Sequence, residues 1–265
     1  MIRSVRDLEG FAVRATDGTI GKVTDFCFDD ESWVVRYAVV DTTAWLGREV
    51  LLSPYSMGEL DWGAEVLSVT ITKEQVKNSP SIDTENPMSR QREKTFLGYY
   101  GYPYYWGGSG LWGEQSHPGA LMRIGAGGNR RDLRAAPPNG RLADPRLRSC
   151  DAMIGYRMHA NDGEIGHVQG FLVDDHSWSI RFVVLNSTNW WLGHHFLVSP
   201  EWIQHVSWSQ SSVTVKLDRQ AITDAPAYNS DAEVNRDSGA SIYNHYNRNG
   251  SWQHKRGGAV PQMNE

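Results

Sequence analysis

The sequence predicts a mainly all-β fold: two small β-barrels in tandem, each followed by a short helix and an aromatic arm. The first observation behind this is internal likeness. At an offset of 145, Gly10, Asp17-Gly18, Gly21, Phe26, Asp29-Asp30, Ser32-Trp33, Arg36 and Trp45 fall on Gly155, Asp162-Gly163, Gly166, Phe171, Asp174-Asp175, Ser177-Trp178, Arg181 and Trp190. One extra residue near Trp191 then moves the offset to 146, pairing Ser53-Pro54 with Ser199-Pro200, Trp62 with Trp208, Arg90 with Arg236, Tyr100 with Tyr246 and Trp106 with Trp252. A period this long means duplicated domains and not a solenoid of short repeats. The second observation is a series of short alternating apolar runs broken by turn residues, and the third is a single short helical signal in each copy.

Phe11 to Ala15, then Asp17-Gly18, then Gly21 to Phe28 reads as a hairpin, because Asp-Gly supplies the positive φ of a tight turn. Asn161-Asp162-Gly163 repeats the signal. Val35, Tyr37 and Val39, with Ile180, Phe182 and Val184 at the matching places, give a strand with one apolar face. Glu49 to Leu52 and Glu65 to Ile71 predict further strands, mirrored at His195 to Val198 and Ser211 to Leu217. Thr72 to Asn78 and Asp218 to Asp224 predict a short helix before Pro80 and Pro226. Many short strands with frequent turns imply a barrel, whose closure removes exposed edges.

The resulting boundaries are a first barrel at 1–80, its helix and aromatic arm at 81–106, a Gly/Pro/Arg-rich linker at 107–150, a second barrel at 151–226, and a helix and aromatic arm with a polar tail at 227–265. The chain has 265 residues, enough for two domains with modest cores. No apolar run approaches the roughly 20 residues needed to span a bilayer, and Met1 to Arg6 lacks the apolar stretch of a signal peptide. A cytoplasmic setting is therefore expected. Cys27 answers to Leu172 and Cys150 falls in the linker, so the two cysteines imply no disulfide framework.

The run Gly10, Asp17-Gly18, Ile20-Gly21, Val23, Phe28-Asp29-Asp30, Trp33-Val34-Val35-Arg36-Tyr37, Val39-Val40 and Val50-Leu51-Leu52-Ser53-Pro54 resembles the PRC-barrel domain family, and it recurs in the second copy. That family is known from the cytoplasmic part of the photosynthetic reaction centre H subunit, from a ribosome maturation factor and from stand-alone bacterial proteins. Tandem copies with a segment such as Tyr99 to Trp106 look like the H-subunit-like branch, although the membrane helix of an H subunit is missing. So is the N-terminal domain that accompanies the barrel in the ribosome factor. The matching motifs are those of the fold, and the resemblance supplies no functional residue.

Catalytic, cofactor and metal chemistry are not expected. His159, His167, His176, His194, His195 and His205 answer to Arg14, Lys22, Glu31, Arg48, Glu49 and Glu59, charges of either sign that indicate solvated surface more simply than a metal site. Asp29-Asp30 and Asp174-Asp175 read as turns held by Asx hydrogen bonds. Gly108-Ser109-Gly110-Leu111-Trp112-Gly113 matches G-x-G-x-x-G but follows no strand, so it reads as flexible linker. No nucleophile, base and orienting group stand in one pattern, so an enzyme is not expected.

Aromatic and electrostatic features remain. Trp33, Trp45 and Trp62 suit a core or barrel rim. The arm lacks helix or strand periodicity, and its aromatics need a docking surface, on a barrel, in a homodimer or on a partner. Tyr99, Tyr100, Tyr102, Tyr104, Tyr105, Trp106, Tyr246 and Trp252 are the candidate interaction residues. Arg130, Arg131 and Arg134, in a linker rich in arginine within a chain of net charge −5, are candidate anion contacts. The linker can equally fold back on acidic barrels. The expected role is a non-enzymatic protein-interaction or assembly module with an unidentified protein partner, two barrels gaining effective concentration over one. An H-subunit-like accessory role at a membrane electron-transfer complex and an RNA or ribosome-maturation role are the alternatives.

Overall fold

A computed structural model describes residues 1–80, 89–106, 108–119, 147–187, 195–229 and 236–246. It is mainly β, with two sheets of the same strand order. In the first, β2 (Ala12–Ala15), β3 (Gly18–Asp29), β4 (Val34–Asp41), β5 (Glu49–Leu52), β6 (Met57–Asp61) and β7 (Val66–Val69) run in the order β5-β4-β3-β2-β7-β6. Pro54–Ser56 forms a single 3-10 turn that carries the chain from β5 on one edge to β6 on the other. Ser53 caps this turn, its side chain accepting the Tyr55 amide, and Ser199 does the same for Glu201. In the second sheet, β9 (Arg157–Ala160), β10 (Gly163–Asp174), β11 (Ile180–Asn186), β12 (His195–Val198), β13 (Ile203–Ser207) and β14 (Ser212–Val215) follow the order β12-β11-β10-β9-β14-β13.

Each sheet has a seventh strand, and that strand comes from the other half of the chain. β1 (Ile2–Ser4) pairs antiparallel with β10, Ile2 opposite Asp174 and Ser4 opposite Leu172. β8 (Leu147–Ser149) pairs antiparallel with β3, Leu147 opposite Asp29 and Ser149 opposite Cys27. The exchange is reciprocal, as in a swapped dimer written on one chain. It corrects the boundary expected at 150, which cuts off a strand that belongs to the first sheet, and the boundary at 1, whose first strand belongs to the second. Cys150 opens the short helix α4 (Cys150–Met153) and is buried, and neither cysteine is bonded to another.

A second set of reciprocal contacts lies at the β3–β4 and β10–β11 turns. Asp29 Oδ1 accepts the amides of Glu31 (3.1 Å) and Ser32 (2.9 Å), and Asp174 Oδ1 those of His176 and Ser177 (both 3.0 Å), as the Asx reading requires. Each turn then places a tryptophan in the left-handed region, Trp33 at φ 53° and Trp178 at φ 59°. That conformation costs a non-glycine residue roughly 1–2 kcal/mol. It aims each tryptophan carbonyl at the opposite half: the Val35 amide donates to Trp178 O and the Ile180 amide to Trp33 O, both at 2.8 Å. Phe28 lies 5.7 Å from Phe171, and Phe26 lies 6.0 Å from Trp178, so one apolar core runs through both halves.

Smaller devices also occur twice. A Cβ on Gly21 would stand 1.9 Å from Asp41 O and one on Gly166 2.1 Å from Asn186 O, so the strands there approach too closely for any other residue. Asp17 Oδ1 and Asp162 Oδ1 each accept, at 2.8 Å, the first amide of the helix beyond the sheet, Lys73 of α2 (Lys73–Lys77) and Arg219 of α5 (Arg219–Thr223). The hairpin aspartates thus join turn to helix start. The one-sided strand expected at Val34–Asp41 is instead buried on both faces up to Val40, because elements beyond the sheet cover its outer side. Among the described residues, no helix is long and apolar enough to cross a membrane.

Burial works to raise the Asp174 carboxyl, but the Ser177 and His176 amides, with Arg181, outweigh it and hold its pKa below the ordinary value. Stabilisation from such a group is present above the unfolded pKa, about 3.9, and is lost as pH falls through the lower folded value. Asp174→Ala should therefore lower unfolding free energy by about 2 kcal/mol at pH 7, and by progressively less as the pH falls below about 4. Urea titrations across that range check both the size and the convergence.

Candidate functional site

The stretch 81–106, read as helix and aromatic arm, holds the helix α3 (Arg90–Tyr100), which runs on into the arm from Phe96, where no periodicity was expected. Ser89 caps its start by accepting the Arg92 amide, and Gly101, at φ 72°, ends it. The inward face is Arg90, Glu93, Phe96, Leu97 and Tyr100, a helical spacing in which two members are charged, and this breaks any apolar pattern. Glu93 is only 1% exposed. The arm thus packs on its own half, and a polar cluster beneath it explains how.

Glu93 Oε1 accepts the hydroxyls of Tyr37 (3.1 Å) and Tyr105, and Glu93 Oε2 accepts Arg90 Nη1 at 2.7 Å. Arg90 Nη1 also donates to the Tyr105 hydroxyl at 2.8 Å, and Arg90 Nη2 lies 3.6 Å from Asp29 Oδ2. The cluster therefore reaches back to the turn that joins the halves. Burial pushes the Glu93 carboxyl up, against the opposing pull of Arg90, and pushes the Tyr37 and Tyr105 phenols far above their ordinary value. Arg36, 3% exposed and drawn down by burial, donates to Leu111 O (2.6 Å) and Ser32 Oγ (3.0 Å). Its guanidinium sits 3.8 Å from the Tyr105 ring centroid and 4.7 Å from that of Trp112.

Trp112 belongs to the stretch expected to be flexible linker. Residues 108–119 instead form an ordered strap. The Gly110 amide donates to Gly113 O (2.7 Å), the Trp112 amide to Gln115 O (2.9 Å) and the Gly113 amide to Tyr105 O (2.9 Å). A Cβ on Gly108 would lie 2.2 Å from Gly113 C and one on Gly110 2.4 Å from Gln115 O, so the glycines of the apparent nucleotide motif serve a tight loop. Trp112, 2% exposed, packs on Tyr55 and Tyr105, and its indole N–H donates across the halves to Ser177 O at 2.8 Å.

The remaining candidates divide by exposure. Tyr100 and Tyr102 stack on each other, half-buried, with centroids 5.3 Å apart, and Tyr102 reaches Tyr55. Tyr104 stacks on Trp106, over which Arg90 lies at 4.3 Å. Tyr99 is 41% exposed, its hydroxyl donating to Gln75 O at 2.8 Å. Trp45, on the short helix α1 (Thr43–Leu46) and 37% exposed, donates its indole N–H to Ile20 O and lies under Lys73, so Trp45 and Tyr99 both border α2. Tyr246 is buried against Trp202, centroids 4.5 Å apart. Trp252, Arg130, Arg131, Arg134 and His194 lie outside the described residues. Among those described, no group of three or more His, Cys, Asp and Glu side chains is placed to hold a metal ion.

The second half docks its arm helix, α6 (Arg236–His245), differently. Tyr37, Glu93 and Leu97 are answered by Phe182, Gly239 and Tyr243, so the phenol and carboxylate of the first half disappear together. In their place Tyr243 hydroxyl bonds Ser199 Oγ at 2.8 Å, and its ring packs on Phe182 and Trp202. Both helices end alike: His245 Nε2 meets Ala221 O at 2.8 Å where Tyr99 meets Gln75 O. That paired loss was the signal, present in the sequence, by which the Tyr37–Glu93 contact could have been found.

Against known proteins, residues 2–76 match the PRC-barrel domain. The matched stretch runs from the exchanged strand β1 into α2 and stops short of the arm and strap. No curated protein matches the chain.

Removing one member of a buried ion pair strands the other, at a cost of about 3–5 kcal/mol, whereas a hydroxyl is worth about 1 kcal/mol. Glu93→Ala should therefore cost about 3–5 kcal/mol and Tyr37→Phe about 1 kcal/mol, with the double variant costing less than the sum because both remove one hydrogen bond. Denaturant unfolding of the three variants decides it, and strict additivity would refute the contact.

Proposed function

We propose that this chain is a non-enzymatic interaction or assembly module of two PRC-type barrels, the second built from residues 151–226 together with the exchanged strand β1, acting in the cytoplasm. The reading is carried by one observation, the reciprocal pairing of two halves with the same strand order, the same Asx turns and the same helix caps. Such a body offers two related outer faces on one scaffold, and a partner engaging both gains effective concentration. The large polar groups beneath the arm of the first half, Arg36, Arg90 and Glu93, hold the arm and strap in place, which suits a rigid platform. For contact with a protein partner, the exposed aromatic pair Trp45 and Tyr99 beside α2 is the surface of choice, since exposed aromatics anchor interfaces.

Native affinity purification of the tagged protein from its host, with and without RNase, tests this. The module reading expects one stoichiometric protein that survives RNase and whose recovery falls about tenfold in Trp45→Ala/Tyr99→Ala. Ribosomal proteins lost on RNase treatment would overturn it in favour of RNA, and cosedimentation with membrane electron-transfer proteins in favour of the H-subunit-like role.

A further inference from the structure

A cleft of about 590 Å³ lies where the two halves and the strap meet. Met57, Gly58 and Leu60 of β6 line it, together with Trp178 of the second half and Pro118 of the strap. β6 is the last strand in the order of its sheet. Beyond its ladder with β7, its backbone makes one hydrogen bond among the described residues, from the Met57 amide to Pro54 O. Gly58 to Asp61 therefore offer main-chain amides and carbonyls to a further strand. The molecule already extends its sheets in this manner. On β12, the edge strand of the second sheet, His195 O accepts the Tyr228 amide at 2.7 Å, and β1 and β8 are each added to the sheet of the other half.

We propose that β6 takes up an extended segment of a partner protein as a further strand, with an apolar side chain in the cleft and lysine or arginine on either side of it. Charge sets this preference. Glu59 and Asp61 flank Leu60, both are exposed, and neither stands in an ion pair among the described residues. Opposite charges facing each other across neighbouring strands favour pairing, and like charges oppose it. Met57, Leu60 and Trp178 seat the apolar side chain, in a volume within the range of built ligand sites, about 300–1,000 Å³. The equivalent edge of the second half lacks these features. Gln204, His205 and Ser207 stand there at the places of Gly58, Glu59 and Asp61, so the two carboxylates and the room left by a glycine are lost together. The preference belongs to one edge of the molecule. It shares no residue with the Trp45–Tyr99 surface, so either can fail alone.

NMR titration of the full chain with capped peptides of alternating lysine and valine, leucine or phenylalanine tests the proposal. At least one of the three should bind, moving the amide signals of Gly58 to Asp61 and the Trp178 indole while Gln204 to Ser207 are unmoved. Replacing its lysines by glutamates should weaken binding about tenfold, and so should Glu59→Lys/Asp61→Lys, a change at two exposed positions that leaves the core intact. Methylating every second peptide nitrogen, tried in both registers, removes strand hydrogen bonds at constant charge and should weaken binding at least tenfold in one of them. Trp45→Ala/Tyr99→Ala should bind the peptide as wild type does. Failure of all three peptides to bind, or signals moving on β13 instead, would overturn the proposal. So would undiminished binding after methylation in both registers, after either charge reversal, or a loss of binding in Trp45→Ala/Tyr99→Ala.

Discussion

Two left-handed tryptophans hold this molecule in one piece. Trp33 and Trp178 adopt a conformation that an indole-bearing residue avoids, and they do so at the turns that face each other across the halves. The strain of roughly 1–2 kcal/mol at each is local. Its return is a pair of backbone hydrogen bonds, Val35 to Trp178 and Ile180 to Trp33, in an apolar setting where an unpaired amide costs more than the strain. The Asx turns of Asp29 and Asp174 fix the geometry before the tryptophan, and the exchanged strands β1 and β8 extend the same seam on either side.

Around that seam the two halves diverge. The first half uses Asp29 twice, once for its turn and once as the far end of the Arg90 cluster, so the arm helix is tied electrostatically to the junction. Its strap then crosses the junction and delivers Trp112 to Ser177 O. The second half keeps the turn and replaces the buried Glu–Tyr contact with packing of Tyr243 and Tyr246 on Trp202. A buried ionic cluster gains little over apolar packing in net stability, since desolvation offsets most of its attraction. What it adds here is direction: Glu93 has defined partners on β4, on its own helix and beyond the helix end, so only one placement of the arm satisfies it.

Much of the barrel was legible because strand period and turn chemistry are local properties. The hairpins at Asp17-Gly18 and Asp162-Gly163, the strand at Glu49–Leu52 and the helices before Pro80 and Pro226 follow from residue type alone. The exchanged strands did not follow, although Ile2-Arg3-Ser4 and Leu147-Arg148-Ser149 repeat each other at the offset of 145. Three residues are too short for periodicity, and pairing with the other half is a tertiary choice that no local pattern encodes. A helix was placed within 81–106, but the helical period of residues 96–100 was missed because the buried face is half charged, and Glu93 reads as solvated until its partners are known. The strap was misread because glycines that permit close backbone approach look, in sequence, like glycines that confer freedom.

The central claim, that the halves form one body through the Trp33–Trp178 seam and the exchanged strands, is tested most directly by calorimetric unfolding of wild type and Ile2→Asp. Ile2 is buried in the second sheet although it belongs to the first half in sequence. The account predicts one cooperative transition for wild type, shifted down as a whole by the substitution. Two transitions in wild type, or a shift confined to the first half, would contradict it.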